Sequence, residues 1–129
     1  MKLKFGIVFM VFFIATSCVK SQTEDVTLVD VPTFEQKMKE KGVQLVDVRT
    51  PAEFQSGHLV NAVNININDT DFKTKMEALD KSKPILVYCK SGGRSGRACG
   101  QLKEMGFTII TDLDGGITDW KAKGKPVVE

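Results

Sequence analysis

The sequence predicts an α/β domain, a small and mostly parallel sheet with helices on both faces. Short continuous apolar runs recur along the body, and capped or amphipathic stretches lie between them. Strands buried on both faces read as such runs, and parallel neighbours need a crossover, usually helical. Length adds a third constraint. Without the first 17 residues the chain has 112, enough for one core and too few for two.

Val26-Thr27-Leu28-Val29 is a first short strand. Asp30, Pro32 and Thr33 open a helix with Phe34 and Met38 one turn apart, ending near Gly42. Gln44 to Val48 is a strand; Thr50-Pro51-Ala52-Glu53 has capping-box spacing and starts a brief helix. Ala62 to Ile67 reads as a strand, and Asp69 or Thr70 starts a helix carrying Phe72, Met76 and Leu79 on one face. Ile85 to Tyr88 is the next strand, Ser95 to Met105 a helix stopped by Gly106, Thr108 to Thr111 a further strand, and Thr118 to Lys123 a last short helix.

The amino-terminal residues read as an export signal. Lys2 and Lys4 precede an apolar stretch from Phe5 to Ala15, too short to span a bilayer as a helix. Ala15-Thr16-Ser17-Cys18 resembles a bacterial lipobox with Ala15 where leucine is usual, which makes Cys18 a lipidated new N-terminus; the alternative is an ordinary secretory signal with Cys18 incidental. The expected organisation is a lipoprotein signal peptide over residues 1–17, Cys18 with a polar tether over 18–25, and one domain over 26–129. The expected location is the cell envelope, facing the periplasm, with membrane contact only through the anchor. Cleavage removes two of the 18 basic residues and none of the 16 acidic ones. The remainder is formally neutral, with no block of like charge for a nucleic acid. One histidine and no ligand-spaced Cys/His pair give no metal site, and nothing calls for a cofactor.

The most informative run is Tyr88-Cys89-Lys90-Ser91-Gly92-Gly93-Arg94-Ser95. A thiol at the end of an apolar strand enters a glycine-containing loop that leads into a helix. Backbone N–H groups and the helix dipole then converge where a Cys89 thiolate would sit. An unperturbed cysteine is only about 3% thiolate at pH 7, and lowering its pKa by about two units takes roughly 2.7 kcal/mol of differential stabilisation. The N–H groups and the cations Lys90 and Arg94 are the expected source. An inert core thiol needs neither the glycines nor the cations. Arg49 also follows directly after a strand, at the sheet edge where ligands bind in such folds.

Several stretches together resemble the rhodanese family of sulfurtransferases. They are Leu45 to Phe54 (LVDVRTPAEF), Gly57-His58-Leu59 with Ala62-Val63-Asn64-Ile65, the cysteine loop, and Leu113-Asp114-Gly115-Gly116 with Trp120, Gly124, Pro126 and Val127. The similarity covers roughly residues 26–128 in order. Val60-Asn61 departs from the Pro-Gly often found there. An exported single-domain form is most similar to the phage-shock-protein E type.

The resemblance implies that Cys89 takes sulfane sulfur from thiosulfate or a similar donor and passes it, as a persulfide, to cyanide or a thiol. Residues 90–95 (Lys90, Ser91, Gly92, Gly93, Arg94, Ser95) would bind the persulfide and an anionic donor. A persulfide carrier serving a partner thiol protein is the alternative. A cysteine-based phosphatase or arsenate reductase is a third reading, weakened because Cys89 and Arg94 enclose four residues, one fewer than in the related phosphatases.

Asp47, Arg49 and Glu53 are supporting residues. Asp47 is expected to accept N–H bonds or pair with Arg94, and Glu53 to pin the short helix with Arg49; Arg49 stays open between that role and gathering an anionic substrate. His58 is expected in packing or a turn, Trp120 in the core, and Gly115-Gly116 in a turn that can approach the loop. Cys99 shares a helical stripe with Ala98, Leu102 and Met105 and is expected in the core, the alternative being a resolving thiol for Cys89.

Overall fold

The computed structural model describes residues 26–129. The expected signal peptide, Cys18 and the tether lie outside the described residues. Among those described, no helix is long and apolar enough to cross a membrane.

Five strands form one sheet: β1 (Val26–Val29), β2 (Gln44–Asp47), β3 (Val63–Asn64), β4 (Ile85–Tyr88) and β5 (Ile110–Leu113). Their order is β1-β5-β4-β2-β3, and every pairing is parallel. Four helices connect them, α1 (Val31–Met38), α2 (Pro51–Gln55), α3 (Phe72–Glu77) and α4 (Gly93–Glu104), and α5 (Gly116–Ala122) follows the last strand. The expected α/β class is therefore observed, with β4 central and wholly buried.

Alternation along β4 builds two cores. Ile85, Val87 and Cys89 point to one side, where Val46, Phe72, Met76, Ala98, Cys99 and Leu102 cover them. Leu86 and Tyr88 point to the other, against Val31, Phe34, Leu45, Leu113, Ile117 and Trp120. The period-two pattern thus assigns α3 and α4 to one face, α1 and α5 to the opposite one.

Local chemistry starts the helices. The Asp30 carboxylate accepts from the Thr33 N–H at 3.0 Å, with Pro32 in the first turn. Thr50 and Glu53 close the capping box of α2, with Pro51 at its start.

Several boundaries differ from expectation. The run Ala62 to Ile67 is a strand only over Val63–Asn64, although Ile65 and Ile67 still donate to the carbonyls of Asp47 and Val48. The last strand lies two residues later than Thr108–Thr111, because Ile110–Leu113 pairs with both β1 and β4 while Ile109 is exposed. Helix α1 ends at Met38, and α3 begins at Phe72 behind Asp71. Helices α4 and α5 each start two residues early, both behind a left-handed glycine, Gly92 and Gly115.

Candidate active site

The central strand delivers Cys89 to the carboxyl edge of the sheet. Next to it, the register pairs Asp47 with Tyr88, so the segment leaving β2 lies beside the loop leaving β4. The chain then turns at Gly92, whose φ of 118° suits glycine, and α4 starts. This turn brings the Gly92 N–H to 3.0 Å from Cys89 Sγ. The thiol itself donates to Ser95 Oγ at 3.4 Å, and that hydroxyl donates to the Gly92 carbonyl at 3.1 Å.

Cys89 is 1% exposed. Burial alone would push its pKa up, but the Ser95 hydroxyl and the N–H groups of Ser95, Gly92 and Ser91 outweigh it, and the net shift is downward. These donors come from the loop and first turn of α4, as the sequence argument anticipated. A thiolate or another soft monoanion at this point is held mainly by hydrogen bonds, not by a cation.

The cations are arranged differently from expectation. Arg94 turns away to Glu53 in a two-pronged pair at 2.7 and 2.9 Å. Arg49 pairs with Asp47 (2.7 Å at the shortest contact) and donates to the Gly57 carbonyl at 2.6 Å. The anticipated partners, Arg49 with Glu53 and Asp47 with Arg94, are thus exchanged, while Asp47 accepts the Arg49 backbone N–H at 2.9 Å, the other role expected of it. Arg49 is only 3% exposed and lies over the Tyr88 ring, a placement for bracing and not for collecting ligand. Lys90 is exposed and has no ion-pair partner among the described residues, so it is the free cation at the mouth. Pairing with Arg94, and then the Thr50 hydroxyl, holds the Glu53 carboxyl down at about 2 against the opposing effect of burial.

The turn before α5 completes the site. The N–H groups of Ile117 and Thr118 donate to the carbonyls of Cys89 and Lys90 at 2.9 and 3.0 Å. A Cβ at Gly116 would lie 2.5 Å from both carbonyl oxygens. The expected approach of the Gly115-Gly116 turn is therefore a direct backbone seat for the loop.

His58 stacks on Phe54 at 3.7 Å and shares Nδ1 with the Phe54 carbonyl at 2.8 Å, the packing role expected of it. Trp120 closes the opposite core and donates to the Pro126 carbonyl at 2.9 Å. Cys99 is buried on the inner face of α4, its pKa raised by burial and then by Asp112 and Cys89.

Two residues escaped the sequence reading. The Tyr88 hydroxyl accepts from the Leu59 N–H at 3.1 Å and so fixes the segment around Gly57. Asp112 is buried on β5, and its Oδ1 has no hydrogen-bond partner. A carboxylate inside the apolar run Ile109 to Leu113 was the available signal, and the misplaced strand hid it.

The chain was compared with known proteins. The model of the rhodanese-like domain matches residues 23–123. A sulfurtransferase of Allochromatium vinosum is 33% identical over 101 residues, 78% of this chain and 92% of that protein. The chloroplastic thiosulfate sulfurtransferase 16 of Arabidopsis thaliana is 36% identical over 95 residues, 66% of this chain and 79% of that one. Among solved structures, a rhodanese-related protein of Thermoplasma volcanium superimposes with a TM-score of 0.70 at 31% identity, covering 79% of this chain and 97% of the other.

Proposed function

The chain belongs to the rhodanese-like domain family, and from that premise we propose that it transfers sulfane sulfur through a persulfide on Cys89. A sulfurtransferase-type enzyme is the general reading that its relatives support. The observation that carries the particular mechanism is the Cys89 sulfur under the Gly92 N–H at 3.0 Å, with a lowered pKa despite burial.

The thiolate attacks the outer sulfur of thiosulfate or a like donor. The donor S–S bond breaks, its electron pair leaves with sulfite, and Cys89 becomes a persulfide. Cyanide or a thiol then attacks the terminal sulfur and returns Cys89 to a thiolate. Thiolate and persulfide are both monoanions, so the same N–H donors serve both halves of the cycle. Lys90 draws the anionic donor to the mouth.

The test is thiocyanate formation from thiosulfate and cyanide by the purified protein. Turnover is expected to vanish in Cys89→Ser, and the wild type is expected to gain the mass of one sulfur on Cys89. Absence of that gain overturns the donor step. Slow turnover with thiosulfate but rapid exchange with a thiol protein would replace it by the carrier reading.

The residues before the domain support a second part of the proposal, export and a lipid anchor at Cys18. Metabolic labelling with a fatty acid, lost in Cys18→Ala, is the expected result, and an unlabelled wild type overturns it.

A further inference from the structure

One cation of the cysteine loop is kept out of it. Arg94 stands in the first turn of α4, two residues past the Gly92 N–H that meets Cys89 Sγ at 3.0 Å. Consecutive Cα atoms are about 3.8 Å apart, so its Cα lies within about 8 Å of the Gly92 Cα. Its long side chain therefore starts beside the sulfur. The guanidinium nevertheless turns to α2, where its two prongs meet Glu53 at 2.7 and 2.9 Å. Glu53 is itself fixed by the capping box, since its Oε1 accepts from the Thr50 hydroxyl at 3.0 Å. The other guanidinium at this edge, that of Arg49, is taken by Asp47 at 2.7 Å. An anion at the sulfur is left with N–H and hydroxyl donors.

We propose that Glu53 sets the anion specificity of the loop: by holding Arg94 it suits the site to a singly charged sulfur and not to doubly charged oxyanions such as phosphate. The proposal rests on the sulfur-transfer reading, in which thiolate and persulfide each carry one negative charge. Hydrogen-bond donors suffice for such a monoanion. A free guanidinium would add a rigid fork that matches a tetrahedral oxyanion bidentately. Phosphate would then compete with the donor for the loop, and the sulfite left behind by thiosulfate would be retained. Glu53 acts only through Arg94, so it is a positioning residue.

The pair is placed to hold. Its side chains are 22% and 31% exposed, so solvent screens their attraction only in part. The Glu53 carboxyl, held down at about 2 chiefly by Arg94, stays ionised wherever Cys89 reacts. Glu53 chiefly raises the Arg94 pKa, against burial, and the charge of Cys89 adds to it. The docked guanidinium thus already feels the sulfur.

The experiment compares alkylation of Cys89 by iodoacetate, an anion, with alkylation by neutral iodoacetamide. The proteins are purified wild type, Glu53→Gln, Arg94→Met and the double variant. Glutamine still closes a capping box, and the iodoacetamide rate corrects each protein for any loosening of the loop. A unit charge about 7 Å from the sulfur alters an anion's approach roughly threefold at the dielectric of bulk water. Glu53→Gln is expected to raise the iodoacetate-to-iodoacetamide ratio at least about threefold. Arg94→Met is expected to lower the ratio more in the Glu53→Gln background than in wild type, because only there can the guanidinium enter the loop. An unchanged ratio in Glu53→Gln overturns the proposal, and so do equal effects of Arg94→Met in both backgrounds. Wild type alone gives a second readout. Inorganic phosphate is expected to leave its iodoacetamide rate unchanged, and protection of wild-type Cys89 by phosphate overturns the proposal. Thiocyanate formation separates the two claims. A raised ratio with no thiocyanate from wild type would sink the sulfur-transfer reading alone, whereas turnover with an unchanged ratio would sink this one.

Discussion

Arg49 and Asp47 act in the molecule as one buried unit. The carboxylate holds the guanidinium Nε and an Nη, the Gly57 carbonyl takes a further bond, and the Tyr88 ring lies beneath. Breaking such a pair leaves an uncompensated buried charge, which typically costs about 3–5 kcal/mol. Arg49→Met is therefore expected to lower the denaturation midpoint by that much, and adding Asp47→Asn to recover much of it. An unchanged midpoint with a raised KM for thiosulfate would instead return Arg49 to substrate gathering. Composition and spacing identified Asp47, Arg49, Glu53 and Arg94 as charges that matter. They did not identify who pairs with whom, because Glu53 meets Arg94 across 41 positions of sequence and only the register of β2 on β4 decides that. Asp112 was missed for the same reason: its burial comes from β1 and β4 pairing on either side of it, neighbours distant in sequence.

Among the elements, the seat that α5 gives the cysteine loop is the feature with the sharpest consequence. Gly116 has a φ of 58° and the carbonyls of Cys89 and Lys90 against its Cα. A methyl group there must push the loop, since backbone on both sides leaves no flexible side chain to yield. Overpacking of this kind costs about 1–3 kcal/mol, and it moves the very carbonyls that fix the Cys89 backbone. Gly116→Ala is expected to stay folded at 25 °C while losing at least about tenfold in kcat/KM for thiosulfate, by the general sensitivity of catalysis to misplacement of about an ångström. If activity falls only in step with the folded fraction, α5 merely fills the core. Gly115-Gly116 was legible as a turn near the loop; its carbonyl partners were not, because backbone hydrogen bonds between distant segments leave no trace in side-chain pattern. The capped helix α2 and strands β1 and β4 were legible because their determinants are local. Strand β3 was legible as a strand within Ala62 to Ile67 but not in its extent, since only Val63 and Asn64 pair in register with β2.

For the whole molecule, two carboxyl groups impose opposite dependences of stability on pH. Glu53 has its carboxyl held at about 2 against an ordinary 4.5, chiefly by Arg94. Its contribution is therefore present above about pH 4.5 and lost as the pH falls towards 2. Asp112 has its carboxyl raised from 3.8 to about 6, chiefly by burial. Its folded form prefers the proton, so its contribution is complete below about pH 4 and lost as the pH rises through 6. A shift of about two units corresponds to roughly 3 kcal/mol, and the amide of Asp112→Asn, itself buried, is expected to recover part of it, about 1–2 kcal/mol. In a domain of this size that is about 5–10 °C in Tm. The quantity to measure is the Tm of Asp112→Asn minus that of wild type, at intervals from about pH 4 to pH 8, so that groups unaffected by the substitution cancel. The difference is expected to rise between about pH 4 and 6 and then stay level. A flat difference across the range would mean that Asp112 carries its charge in the fold at no cost.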